Sequence, residues 1–383
     1  MSQSLDLTSG IRSSSTYIFE LECIRGLAIA LVFLFHCYGI SVVSPPPEHS
    51  LAMSFIVSGN TGVTLFFVLS GFLLGQPWLK SFIDNTVPPP HLWSFYAARG
   101  LRVIPLYYAA VLFSVIVTGK WLVGLEAMLF GFVGFEIFPY SVVWWTLSTE
   151  VQFYALLPLA FLLWLSGKSG KILLLGILGV WLYFYVTRVA MNPLPDKNLS
   201  YLLAKSIFGR LPAFLAGLLA GYVYLVSKQR LALRENTLPI RIGGIVIGMS
   251  AVILLAMVLK KAADMGDRTA KQIWHIHHTY EAGLWAVLIL SLLLCKLPGK
   301  QLLINRPMAI TGKLSYSIYL NHVPILFFMI YASRESMGVE NYQASMWFYM
   351  MPALGFVASL GMAYLTYRLI ELPFLQVKRK LPS

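Results

Sequence analysis

Long apolar stretches recur along the whole chain, separated by short polar punctuations, and their length sets the architecture. A helix needs about 20 apolar residues to cross a hydrocarbon core roughly 30 Å thick. Such runs fall near 24–43, 53–75, 103–118, 142–165, 171–190, 206–227, 242–259, 282–295, 314–332 and 346–369. An eleventh, 121–139, is interrupted by Glu126, Glu136 and glycines. The pattern predicts an all-α, polytopic integral-membrane helical bundle of about ten transmembrane helices. The segment near 119–141 is expected to be re-entrant or to lie at the outer face.

Charge placement orients this bundle. Lys and Arg accumulate in cytoplasmic loops, and a cytosolic N-terminus with ten crossings puts most of the 29 basic residues inside. Letting 121–139 cross would reverse every later loop and spoil that bias, so both termini are expected in the cytosol. The expected organisation is a flexible cytosolic tail over 1–19, one membrane domain over 20–375 and a basic cytosolic tail over 376–383. The Pro-rich stretches 45–47 and 88–90 punctuate loops, because proline cannot extend a flanking helix.

Composition narrows the class. The chain is 58% hydrophobic and 12% charged, about half the charge of a soluble domain. A net charge of +13 would suggest nucleic acid in a soluble protein; here it reads as the basic bias of cytoplasmic loops. The expected partner is the lipid bilayer, with no nucleic acid. The first apolar run is too long for a cleavable signal peptide. Cys23, Cys37 and Cys295 lack CxxC spacing and read as core residues, so neither a disulfide framework nor a metal site is expected. His275, His277 and His278 fall in an expected outer loop and read as solvent-facing. The chain ends soon after its last apolar run, so any chemistry is expected in the membrane part. No internal repeat is visible, which weakens a transporter built on inverted repeats.

Polar groups at membrane depth carry the candidate chemistry, because ionisable residues there are costly and tend to be functional. In R-GLAIALVFLF-H, Arg25 and His36 return to within about 20° of one helix face, roughly 16 Å apart along the axis. By residue count His36 lies about 18 Å from the inner surface and Glu150 about 12 Å below the outer one, so the two are expected at one level. Tyr316, Tyr319 and His322 form a polar stripe reaching a comparable depth. Two imidazoles and a carboxylate suit general-base catalysis, a histidine taking a proton from a hydroxyl. His36 is the candidate base. Glu150 could be a structural partner or take a chemical role, and His322 a structural or substrate-positioning one. Arg99 and Arg102, at i and i+3, are placed to grip phosphates. With Arg25 arriving at the same inner boundary, three arginines would suit a polyanionic cosubstrate. Gly62, Gly71 and Gly75 in GVTLFFVLSGFLLG permit close helix packing, and Ser70 reads as packing rather than nucleophile.

Together these motifs resemble the acyltransferase-3 family of membrane O-acyltransferases, which includes O-antigen, exopolysaccharide and Nod-factor acetylases. The resemblance runs from about Glu20 to Pro373. It rests on Arg25 and His36, LFFVLSGFLL, FYAARGLRVIPLYY with its paired arginines, WWTLSTEVQFYALLP with Glu150, GKLSYSIYLNH and the closing Glu371–Leu372–Pro373. Asn321 stands where an aromatic is more usual. The resemblance implies transfer of an acyl group, usually acetyl from acetyl-CoA, to a carbohydrate hydroxyl across a bacterial inner membrane, with no permanently bound cofactor. It implies His36 as catalytic base, Glu150 as supporting residue, and Arg25, Arg99 and Arg102 in the donor site. Tyr316, Tyr319 and His322 fall on its late motif, taken as substrate-binding. An appended extracytoplasmic SGNH-type domain, common in the family, is not expected here. The alternative is a proton-coupled exporter of glycans or their precursors, with His36 and Glu150 as relay.

Overall fold

The computed structural model describes residues 18–43, 45–84, 86–191, 196–232, 238–265, 273–295 and 297–378. Among them every regular element is helical. In order these are α1 (Phe19–Ser41), α2 (Leu51–Val57), α3 (Thr61–Ile83), α4 (Leu92–Thr118), α5 (Trp121–Met128) and α6 (Trp145–Leu165). There follow α7 (Lys168–Phe184), α8 (Lys197–Lys205), α9 (Ile207–Ala232), α10 (Leu238–Asp264), α11 (Ile273–Leu294) and α12 (Lys300–Leu303). The last are α13 (Arg306–Lys313), α14 (Ser315–Met337), α15 (Val339–Ala344), α16 (Trp347–Thr366) and α17 (Leu372–Lys378). Backbone groups in hydrocarbon must be satisfied within the chain, and helices do this locally.

Eight of the described helical segments are long and apolar enough to cross a bilayer, or nine if α13 and α14, bent by 76° at their break, form one span. Each of the ten expected segments is helical, with 53–75 divided between α2 and α3. The remaining one is α11, a 22-residue helix whose early turns carry His277, His278 and Glu281. The chain is a multi-pass membrane protein.

Small residues set the closest helix contacts, as expected where lipid removes the hydrophobic drive for helix association. A Cβ on Gly71 would lie 2.2 Å from the Phe214 carbonyl oxygen, and one on Gly217 2.0 Å from that of Val68, locking α3 against α9. Gly312 meets the Glu22 carbonyl in the same way and Gly26 that of Met308, seating α13 on α1. Gly62 opposes Ala28 and Gly59 opposes Leu31, so α1 and α3 run antiparallel. By contrast only Gly170 of α7 is buried, and that helix forms the apolar periphery.

Two expectations are corrected. The run 53–75 breaks at Ser58–Asn60: α2 ends at Val57 and α3 runs from Thr61 to Ile83, with the Ser58 hydroxyl donating to the Leu259 carbonyl (2.9 Å). His277 and His278 are not solvent-facing but buried in α11, because α11 starts at Ile273 and turns them into the bundle; the His275 side chain lies outside the described residues. Residues 376–378 belong to α17, while 379–383 and residues 1–17 of the expected tails lie outside the described residues.

The 119–141 segment does not cross as a helix. It consists of α5, a turn and a 3-10 turn at Tyr140–Val143. Its irregular backbone is satisfied by protein: the Tyr107 and Tyr108 hydroxyls donate to the Ala127 and Met128 carbonyls (both 2.9 Å), and Ser148 donates to that of Gly131. Such backbone is tolerated at membrane depth only when the protein partners it.

Candidate active site

Five helices surround a cavity of about 140 Å³ lined by Arg25 of α1, Ser70 of α3, Arg99 and Arg102 of α4, and Glu150 and Tyr154 of α6. Phe66, Thr146 and the α14 residues Tyr316 and Tyr319 complete it. Its α3 lining extends from Val63 to Leu74, eleven residues or roughly 16 Å of helix. That volume is small for the length, so the cavity is narrow.

The arginine end is crowded with charge. Arg25 pairs with Glu22 at 3.5 Å. Arg102 lies in the field of Glu371, Glu22 and Glu150, and Arg25 and Arg99 are close enough to oppose each other's charge. Glu371 is 2% exposed and accepts from the Ser317 hydroxyl at 2.9 Å. The Arg99 Nε is buried with no hydrogen-bond partner among the described residues, on a side chain that lines the cavity; a buried donor of this kind is one an anion would satisfy. Lys378 of α17 adds a fourth cation beside the three arginines.

The other end of the cavity closes on Tyr319. Its hydroxyl accepts from Thr146 Oγ1 at 2.8 Å and lies 3.3 Å from the Val143 carbonyl. Behind it, the His322 ring lies 5.9 Å from the Tyr319 ring and 4.9 Å from the His36 ring. His322 Nε2 and His36 Nδ1 are 3.1 Å apart. His322 Nδ1 lies 2.9 Å from the Tyr319 carbonyl and 3.1 Å from that of Ile318. His36 Nδ1 also lies 3.0 Å from the Val32 carbonyl. His322 is fully buried whereas His36 is partly exposed.

Glu150 is not at the level of His36. It accepts from the Ser70 hydroxyl at 2.8 Å and lines the arginine cavity; among the described residues it makes no hydrogen bond or ion pair with either histidine. Helix direction explains the difference. α13 and then α14 follow α1 in the same direction, with Gly312 of α13 against Glu22 and His322 of α14 against His36. α6 runs with α3, bringing Trp145 to Phe67 and Phe161 to Trp78, and so opposes α14. From the Tyr319–Thr146 contact, His322 lies three residues one way and Glu150 four residues the other, a separation of about 10 Å or more. Counting residues inward from span ends misplaced Glu150 because Thr146, at the start of α6, already meets Tyr319 inside the bundle, so that start does not mark the outer surface.

The expected site residues thus divide into two groups. Arg25, Arg99, Arg102 and Glu150 meet at one end of the cavity, and Tyr319, His322 and His36 follow one another at the other. Tyr316 lines the wall, its hydroxyl donating to the Val103 carbonyl at 2.6 Å. Asn321 faces away, donating from Nδ2 to the Ser317 carbonyl and to Thr366 of α16; an aromatic there could not make that tie. Thr146, Glu22 and Lys378 escaped the sequence reading as site residues. Ser70 was legible only as a small residue among glycines, and the distant members carried no signal. Among the described residues no three His, Cys, Asp or Glu side chains converge as a metal site.

The site is thus a narrow cavity in a helical membrane bundle, with cations at one end and an imidazole pair beyond the other. The profile described as an acyltransferase domain, that of the acyltransferase-3 family, matches residues 18–368, and the chain belongs to this family. It is similar to the peptidoglycan O-acetyltransferase OatA of Listeria monocytogenes, 24% identical over 396 residues, covering 94% of this chain and 56% of that protein. The O-acetyltransferase OatA of Staphylococcus aureus is 23% identical over 392 residues, with 94% and 57% covered. Nodulation protein 10 of Rhizobium leguminosarum bv. viciae is 26% identical over 197 residues, covering 44% of this chain and 51% of that protein. The chain therefore spans little more than half the length of these relatives. No solved structure matches it.

Proposed function

We propose that the protein is an O-acetyltransferase that moves an acetyl group from acyl-CoA to a hydroxyl of a cell-wall or surface glycan. The observation that carries this reading is the convergence of Arg25, Arg99 and Arg102 on one end of a slim cavity whose other end abuts the His36–His322 pair. Phosphates are the groups that guanidinium forks bind best, and a thioester on a long thin arm is the acyl donor such a cavity fits. Membership of the acyltransferase family and likeness to the two OatA proteins support acetyl as the group and a glycan as the acceptor.

In this reading the arginine end faces the cytosol, as the basic bias of the loops implies, in a bacterial plasma membrane. The donor's phosphates displace Glu22, Glu150 and Glu371 from the arginines, and its arm threads past Ser70 toward Tyr319. There the side chains of Phe66, Tyr319 and Thr146 line the end of the cavity that the thioester approaches. His36 takes the proton of the acceptor hydroxyl, whose oxygen forms the new C–O bond as the thioester C–S bond breaks. The leaving thiolate receives the proton back from His36, so no charge accumulates. The arginine convergence favours this over proton-coupled export, which needs no polyanion site.

The test is equilibrium binding of acetyl-CoA to the purified protein in lipid nanodiscs. Removing two charge-assisted contacts at about 1.5–3 kcal/mol each weakens binding at least about 100-fold in Arg99→Ala/Arg102→Ala. Unchanged affinity in that double variant, or no binding by the wild type, would overturn the acyl-CoA reading.

A further inference from the structure

We propose that His322 is the positioning residue that makes His36 a base: it fixes which nitrogen of His36 carries the proton, and it shares the positive charge formed on proton uptake. This rests on the assignment of His36 as base and adds the identity of its partner, a place the sequence offered to Glu150.

Proton placement follows from which atoms can donate. His322 Nδ1 faces two backbone carbonyl oxygens, of Ile318 at 3.1 Å and Tyr319 at 2.9 Å. Carbonyl oxygens only accept, so Nδ1 carries the proton. A neutral imidazole has one, which leaves Nε2 of His322 with a lone pair. That lone pair points at His36 Nδ1, 3.1 Å away, so His36 Nδ1 is the donor, its N–H shared with the Val32 carbonyl at 3.0 Å. His36 Nε2 is then the unprotonated atom, and among the described residues nothing bonds to it. The opposite tautomer of His36 would set two lone pairs against each other and leave a nitrogen of fully buried His322 without a partner, which protein interiors avoid. His322 is held in turn: its ring packs against Phe33 at 6.1 Å and Tyr319 at 5.9 Å.

The chain of contacts runs from backbone carbonyl to His322 to His36 to acceptor. It does the work of the carboxylate in a Ser-His-Asp triad, which holds a histidine in the correct tautomer and stabilises its cation. Here the terminal acceptors are backbone dipoles, which suit a membrane interior because they bring no buried charge at rest. When His36 Nε2 takes the hydroxyl proton, the Nδ1 proton of His36 can pass to His322 Nε2. The cation then sits on a ring whose Nδ1–H faces two carbonyls. The proton returns by the same path when the leaving thiolate is protonated, and every atom is restored. His322 touches neither reacting atom in this scheme, which separates it from the substrate-binding role its motif suggests.

The test compares steady-state acetyl transfer from acetyl-CoA to soluble peptidoglycan fragments by the full chain in nanodiscs. It uses His322→Ala, His322→Leu, His322→Gln, His36→Ala and the double variant His36→Ala/His322→Ala. Glutamine can accept from His36 through its amide oxygen while its NH2 faces the carbonyls. The expected result is a fall in kcat of about 100-fold in the Ala and Leu variants, with KM for both substrates within about threefold. His322→Gln should recover kcat to within about tenfold of wild type. The double variant should be no worse than His36→Ala, because residues acting as a unit are not additive. An increase in acceptor KM at unchanged kcat, equal loss in Gln and Leu, or further loss in the double variant would overturn the proposal. Should the alanine variant fail to fold, the Gln–Leu comparison carries the test alone. An active His36→Ala would instead refute the base assignment itself. An inactive His36→Ala beside a fully active His322→Leu would refute only the partnership.

Discussion

Replacing Gly71 by alanine should damage the protein twice over, and the structure gives the size of both effects. The added Cβ would lie 2.2 Å from the Phe214 carbonyl oxygen and 2.9 Å from its carbon. Both are backbone atoms, so no side chain can rotate away, and real Cβ contacts essentially never fall below 3.0 Å. α3 and α9 must therefore part by about 0.8 Å or more, an overpacking cost of roughly 1–3 kcal/mol. The neighbouring residue is Ser70, whose hydroxyl reaches Glu150 at 2.8 Å. A shift of that size in the wrong direction stretches the bond beyond useful length and disturbs the wall of the arginine cavity. Cys23 and Cys37 are free and buried, so a thiol-reactive fluorophore reports unfolding in detergent. Gly71→Ala should lower the midpoint by several degrees and weaken acetyl-CoA binding. Gly75→Ala is a graded control, because its Cβ meets only the flexible end of Leu218 (2.2 Å). Gly176→Ala on the periphery has nothing within 4 Å and should leave the midpoint unchanged or slightly higher. If Gly71→Ala melts with Gly176→Ala, the close α3–α9 approach is wrong.

Other substitutions probe the division of the site. Glu150→Gln keeps a hydrogen-bond acceptor for Ser70 and removes only charge among the arginines; it should retain far more transfer activity than His36→Ala when both are assayed at equal expression. Tyr319→Phe removes the bonds to Thr146 and Val143, worth about 1 kcal/mol. It should change the rate of acetyl transfer more than the affinity for acetyl-CoA, because Tyr319 lies at the end of the cavity far from the arginines; comparison of kcat with binding checks this. Asn321→Leu loses the tie to Thr366, a loss near 0.6 kcal/mol for an interhelical bond in a membrane. Thermal midpoint should fall slightly while kcat stays at wild-type level.

The helical membrane architecture was legible because hydropathy and charge bias act on whole segments, and the expected apolar runs are helical, only 53–75 being divided between two helices. The arginine trio was also legible, since i, i+3 spacing on α4 and a shared boundary are one-dimensional facts. Depth was not. Glu150 and His36 were matched by counting from span ends, but the count depends on where α6 starts and on which helices run together. The pairing of His36 with His322 depends on α1 and α14 lying side by side, 286 residues apart in sequence, which no local pattern encodes. Ser70 and Glu371 illustrate the same point: each is a small or terminal polar residue whose partner, Glu150 or Ser317, becomes visible only after packing. Likewise His277 and His278 read as an outer patch until the start of α11 turned them inward.

The central claim is that an acetyl group held on the arginine side reaches a hydroxyl on the histidine side through His36. The most direct measurement places the protein in sealed proteoliposomes with isotope-labelled acetyl-CoA on one face and peptidoglycan fragments on the other, and follows label on the fragments by mass spectrometry. Wild type should transfer label only when acetyl-CoA is on the face where the arginines open. His36→Ala, at equal incorporation and with acetyl-CoA binding intact, should transfer at least about 100-fold less. Transfer by His36→Ala near the wild-type rate would contradict the account.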